Sequence, residues 1–330
     1  MTSVVIGALA MLWASSVMRT GFSDARPLVE AAAKSEASAT YVADGLSSTY
    51  YKGRRIETKT RIHHCREGER TDYLTGPLSG SSMVQRNGVC YLSNPAARSS
   101  RIISSCARGD TRARLKTLLS NHVAVKLREE KVAGRAAVVI TLMPKAGEGP
   151  SKTMWLDKET HVPLRTDDYD SDGHLRSSTR FTNVRYMDRM PSSILGEYVT
   201  ARQGAQDSDA LVDRRSLSKL LGFSVSETRY VSRGYTLDSY RLFRCACACG
   251  HKSAHIVYSN GMDVISVFET AATTKCASRD CPSRPTGPKG CIMEDNEQAG
   301  MAVVSRDDKT VAVVGGVPTS ELKKIAESVP

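Results

Sequence analysis

Six of the nine cysteines in this 330-residue chain crowd into its C-terminal part, and no other side chains in it are better placed to do chemistry. Cys245, Cys247 and Cys249 alternate in a CxCxC segment that runs into Gly250 and His251. Cys276, Cys281 and Cys291 follow in a stretch rich in Pro, Gly and Ser. Two chemistries suit this set. Thiolates and an imidazole are zinc ligands, and zinc takes four of them in a tetrahedron. On an extended strand, however, alternate residues sit about 6–7 Å apart, too far to share one ion unless Gly250 bends the chain. Disulfides are the other chemistry: three cysteines on a strand and three in a loop can staple a segment that has little core of its own. Many pairings are possible, so the connectivity is not readable. Disulfides are the favoured reading. Cys245, Cys247, Cys249, His251, Cys276, Cys281 and Cys291 form the candidate metal set, and zinc is the one cofactor suggested. The total of nine is odd, so Cys65, Cys90, Cys106 and the cluster cannot all pair within one chain.

The other candidates are weaker. His63 and His64 stand beside Cys65, but on a strand they point to opposite sides and cannot share a metal. Asp168 to Gly173 starts like a calcium loop, yet Thr179 stands where the twelfth-position Glu belongs, so a turn is the better reading. No GxSxG, HExxH, phosphate loop, GxGxxG, CxxC or CxxCH occurs. A binding protein, not an enzyme, is expected.

The elements that must position these residues are mostly strands. Arg55–Cys65 alternates with period two, placing Ile56, Thr58, Thr60, Ile62 and His64 on one side. Arg86-Asn87-Gly88-Val89 and Asn260-Gly261 are hairpin signals. Ala136–Met143 is a continuous apolar run and reads as a central buried strand. Asp157–Thr160 and Asp170–Gly173 punctuate a meander. Helices are expected at Arg26–Lys34, Asp110–His122 (Leu115, Leu118 and Leu119 on one side), Leu211–Leu221, and Ser320–Val329 with a Thr319/Ser320 cap.

The N-terminal 25 residues stand apart. Val4–Val17 is an apolar run of signal-peptide length, and Ser23 and Ala25 are small, as a signal peptidase requires. No Lys or Arg precedes the run, so an uncleaved anchor stays open. Charge is uneven: Arg26–Met190 holds 28 Lys and Arg against 18 Asp and Glu, whereas Pro191–Pro330 holds 17 against 16. A basic first domain favours anionic lipid or acidic protein, and export makes nucleic acid an unexpected partner. The expected organisation is a signal or anchor at 1–25, a β-rich domain at 26–190, a linker at 191–209 and a smaller domain at 210–330.

Several of these residues resemble a known family. Tyr258-Ser259-Asn260-Gly261-Met262, Ile265-Ser266-Val267-Phe268-Glu269 and Val313-Val314-Gly315-Gly316-Val317-Pro318, followed by Leu322 and Ile325, resemble the C-terminal domain of MucB/RseB, periplasmic regulators of envelope-stress sigma factors. The first domain is similar to their LolA/LolB-like N-terminal domain at Tyr51-Lys52-Gly53, Arg61 with His63, Glu69-Arg70, Tyr73-Leu74, Gly76-Pro77, and Trp155-Leu156-Asp157 leading to Pro163-Leu164. The resemblance spans roughly 26–330. It implies an α+β chain: a curled antiparallel half-barrel with covering helices, plus a smaller α+β C-terminal domain. It also implies an apolar cavity for a lipid or lipidated ligand and a membrane-bound anti-sigma factor as partner, in the periplasm. No individual contact residue carries over. The cysteine cluster departs from the family pattern, which leaves open whether the partner is the anti-sigma factor or another envelope protein, and leaves any homo-oligomer open. A LolA-type lipoprotein carrier and a cysteine-centred metal or redox module are the alternatives.

Overall fold

In the segment Arg54–Cys65 exposed Arg55, Glu57, Lys59 and Arg61 alternate with more buried Ile56, Thr58, Thr60, Ile62 and His64, the pattern of a strand with one wet face. The computed structural model describes residues 24–51, 54–86, 89–94, 99–104, 111–145, 149–191, 193–196, 209–244, 251–272, 291–294, 300–306 and 308–330. Within them the chain builds two antiparallel sheets.

The first sheet has 11 strands. These are β1 (Tyr41–Tyr51), β2 (Arg54–Cys65), β3 (Gly68–Tyr73), β4 (Ser82–Arg86), β5 (Val89–Asn94), β6 (Ser99–Ser104), β7 (His122–Val132), β8 (Arg135–Pro144), β9 (Ser151–Asp157), β10 (Pro163–Tyr169) and β11 (Leu175–Tyr186). Their order is β6-β5-β4-β3-β2-β1-β11-β10-β9-β8-β7, so the sheet is open at both ends. It is also curled: β7 touches β11 although three strands separate them in that order. Bulges at Asp44/Gly45, Lys126/Arg128 and Pro163/Arg165 supply local twist for the curl. Two helices cover part of it, α1 (Arg26–Ser38) and α2 (Thr111–Asn121). Pro27 suits the first turn of α1, whose Val29 and Ala32 are buried with Leu119, Ile140, Leu142 and Leu156. Ile140, Leu142 and Leu156 are at most 1% exposed, each burial contributing about 1.5–3 kcal/mol.

The second sheet has seven strands: β12 (Asp209–Leu211), β13 (Thr236–Arg244), β14 (Lys252–Ser259), β15 (Val264–Ala271), β16 (Cys291–Glu294), β17 (Gly300–Ser305) and β18 (Lys309–Gly315). Ile256, Ile265, Val267, Val311 and Val313 share a core with Leu217 of α4 (Arg214–Leu221) and with Leu322 and Ile325 of α5 (Thr319–Ser328). The chain is therefore α+β: an open, curled antiparallel half-barrel with covering helices, plus a smaller α+β unit.

Several expectations are corrected. The helix expected over Leu211–Leu221 begins only at Arg214, because the Asp213 side chain accepts a bond from Ser216 N and caps it there, and Leu211 is strand. The last helix includes Thr319; Pro318 occupies the cap position, and Thr319 Oγ1 is buried without a partner among the described residues. The strand β8 is buried but not central: it lies one place from the edge, and the α1/α2 layer buries it. The stretch read as linker begins with a docked turn, α3 (Ser193–Gly196), whose Leu195 packs on Cys65 and Val84. The Asn260-Gly261 hairpin has a four-residue loop, since Ser259 pairs with Val264. Asn260 Oδ1 holds it by accepting from the amides of Met262 and Asp263.

Candidate functional site

The helices α1 and α2 lie side by side over the sheet and leave a groove between them of about 670 Å³. Its floor is apolar, from Ala33 and Ala37 of α1 and Leu115 and Leu119 of α2. The helical spacing i, i+4 puts each of these pairs on one face. Its rim is basic: Arg26, Lys34, Arg112, Lys116 and Lys145 against the single carboxylate of Glu30. Lys145 Nζ donates to the carbonyls of Leu119 (2.9 Å) and Ser120 (2.8 Å), so a cation closes the C-terminal end of α2 where the helix dipole favours one. An apolar floor inside a cationic rim fits an amphiphile with an anionic head.

The far end of α1 is tied down by His64. Its Nε2 lies 2.8 Å from the Glu36 carbonyl and its Nδ1 3.1 Å from Glu69 Oε2, and the ring stacks on Tyr41. Both nitrogens face acceptors, which suits the doubly protonated ring. Burial works against the charge, but the Glu69 carboxylate and the Glu36 carbonyl prevail, and the imidazole titrates above its ordinary range.

The helix α2 also carries the contact to the second sheet. Asn121 Nδ2 donates to Gly234 O (2.7 Å) and Asn260 O (3.2 Å). Met262, from the β14–β15 loop, packs into the cluster that holds Leu115, Leu118 and Leu119. Gly261, at φ +91°, lies so close that a Cβ there would meet Leu118 Cα at 2.5 Å. Beside this contact, Arg176 faces Asp263 at 3.6 Å, and a cavity of about 390 Å³ is lined by Lys152, Asp168, Arg176 and Asp263 together with Tyr169 and Met262. Thus one helix has a ligand-sized groove on one side and the other unit's hairpin on the other.

Of the cysteine set, Cys245, Cys247, Cys249, Cys276 and Cys281 lie outside the described residues, and Cys291 is described in backbone only. The described flanks converge. Arg244 pairs with Lys252, Ala271 with Lys309, and Cys291 with Val304, so the chain enters and leaves both cysteine-bearing segments at one end of the second sheet. His251 is half-buried, and its Nδ1 is buried without a hydrogen-bond partner among the described residues. Cys65 is a buried free thiol, and Cys90 is disulfide-bonded. Asp170, Asp172 and His174 come together, but Asp170 Oδ1 accepts from the amides of Asp172 and His174, as in a turn. Sequence reasoning missed the groove, because the cations on its rim are spread over three segments. It had the Leu115/Leu118/Leu119 stripe but read it only as core.

A curled open half-barrel under two helices, joined to a second sheet through one of those helices, defines a two-unit α+β architecture. The MucB/RseB N-terminal domain family matches residues 31–199, and the chain belongs to the MucB/RseB family. The sigma-E factor regulatory protein RseB of Haemophilus influenzae is 24% identical over 280 residues, covering 82% of this chain and 80% of its own length. The solved complex of Pseudomonas aeruginosa MucA/MucB contains a chain of the same fold, with a TM-score of 0.65, 18% identity, and coverage of 93% of this chain and 99% of that one. A crystal structure of MucB with MucA(peri) gives 0.62 at 18% identity over 93% and 98%.

Proposed function

We propose that this chain is an extracytoplasmic regulator that binds a membrane-bound anti-sigma factor and senses a lipid or lipidated ligand in the α1/α2 groove. The observation that carries this reading is the double role of α2. Leu115 and Leu119 line the groove, while Asn121 and Leu118 hold the β14–β15 loop of the second unit. A ligand that spreads or tightens α1 against α2 acts directly on that contact. It shifts the partner equilibrium by its differential affinity for the two arrangements and by no more than that. A relative named for sigma-E regulation, and the MucA complexes of chains that share this fold, support an anti-sigma partner. No helix among the described residues is long and apolar enough to cross a membrane, and periplasmic placement is part of this proposal.

The test is co-purification of the chain with the periplasmic segment of an anti-sigma factor encoded beside its sigma factor, with and without added phospholipid. Retention that changes with lipid supports the reading. Failure to form any complex in either condition sinks it.

A further inference from the structure

The loop between β3 and β4, residues 74–81, holds two leucines in solvent: Leu74 is 50% and Leu78 39% exposed. Single exposed apolar side chains are ordinary. Here two share one eight-residue loop with no charged member, in which Thr75, Gly76, Pro77, Ser79 and Gly80 are also exposed and Ser81 is buried. The loop is firmly held. Leu74 N and Thr75 N donate to the Lys59 carbonyl, Lys59 N donates to Thr75 Oγ1 at 2.8 Å, and Gly80 N donates to the Tyr73 carbonyl at 2.9 Å. Ser79 Oγ donates to the Leu74 carbonyl. Gly76, at φ +83°, lies against β2 so closely that a Cβ would stand 2.5 Å from Thr58 Oγ1. The leucines are thus displayed by a fixed scaffold.

The exposed side of β2, whose Lys59 backbone holds the loop, carries Arg55, Lys59 and Arg61 against Glu57 alone. Arg55 is paired with Glu57 and Arg61 with Asp44, while Lys59 has no ion pair among the described residues. We propose that this loop is a membrane-contact element, with Leu74 and Leu78 entering the boundary between head groups and acyl chains of an anionic bilayer and Lys59 lying against lipid phosphate. A protein hot spot calls for aromatic or Arg anchors in a desolvated pocket. This is an exposed loop with two aliphatic side chains, no carboxylate of its own and Lys59 bonded to it through the backbone, which is the composition of an interfacial insertion site.

The test uses the full chain and vesicles of phosphatidylcholine, alone or with phosphatidylglycerol. A Leu78→Trp chain reports the loop itself, read as the difference from the unsubstituted chain. Its added emission shifts to shorter wavelength, and is quenched by brominated acyl chains, only with the anionic vesicles. Leu74→Ser with Leu78→Ser lowers vesicle partition by roughly 10- to 100-fold. Lys59→Glu lowers it as well, and added salt weakens the unsubstituted chain's binding. Matching melting curves for the serine variant show that its fold is intact, as the exposure of both leucines requires. Three results would overturn the proposal: an unchanged Trp signal on vesicles that bind the chain, serine and parent chains that partition alike, or a Trp signal that responds to a protein partner but not to lipid.

Discussion

Replacing Gly261 by alanine should force the two units apart at α2. Two costs combine. An L-residue at φ +91° pays about 1–2 kcal/mol for the left-handed backbone. The new Cβ also falls 2.5 Å from Leu118 Cα and 2.7 Å from Leu118 Cβ, where ordinary carbon contacts are about 3.5–4.0 Å. The units must therefore separate by about 1 Å, or accept overpacking of about 1–3 kcal/mol. Separation stretches the bonds from Asn121 to Gly234 O and Asn260 O, each contributing about 0.5–1.5 kcal/mol. Gly173→Ala is a matched control, since Gly173 has φ +82° and nothing within 4 Å of its would-be Cβ. Denaturant unfolding should show Gly173→Ala losing about 1–2 kcal/mol and Gly261→Ala about 1–3 kcal/mol more. Hydrogen exchange should quicken in α2 for Gly261→Ala alone. Equal losses for the two variants, with α2 exchange unchanged, would refute the claim that α2 carries the joint between the units.

Three further outcomes follow from particular contacts. Glu269 is fully buried, accepting from Lys309 Nζ at 2.9 Å and Ser226 N at 3.0 Å; Lys309→Met alone should cost about 3–5 kcal/mol in chemical melts, whereas Glu269→Gln with Lys309→Met should recover much of it. His64 titrates above its unfolded value near 6.5, so its stabilisation is fully present below that pH and is lost as pH rises through the higher folded value. The pH dependence of melting across that window should flatten in His64→Gln, and an unchanged profile would remove His64 from the account. Cys65 is free and Cys90 is disulfide-bonded, so if the six clustered cysteines are also paired, thiol titration of the denatured chain should find one thiol and metal analysis no zinc. Seven thiols with bound zinc would favour the metal set instead.

Local pattern made much of the fold legible. The alternation at Arg55–Cys65 and the turn residues at Asp157 and Asp170 answer to short-range rules and sit where those rules place them; the apolar run in β8 is buried as its composition requires, but next to the sheet edge and not at its centre. What stayed hidden depends on partners distant in sequence. Leu211 reads as helical from its neighbours, but pairing with Arg241 in β13 makes it strand. Asn260-Gly261 reads as a two-residue turn, yet the Asn260 side chain builds a wider loop that reaches α2. The groove is the clearest case. Lys145 is more than 100 residues from Arg26, and no spacing rule links them until α1 and α2 are laid on the same sheet.

The central claim is that a ligand in the α1/α2 groove changes affinity for the anti-sigma partner through α2. Calorimetric titration of the full chain with the partner's periplasmic segment, with and without lyso-phosphatidylglycerol, tests it most directly when repeated on Leu115→Asp. The lipid should shift Kd several-fold in the parent chain and leave it unchanged in the Leu115→Asp variant, which has lost its apolar floor. The same Kd with and without lipid in the parent, or an equal shift in both chains, would contradict the claim.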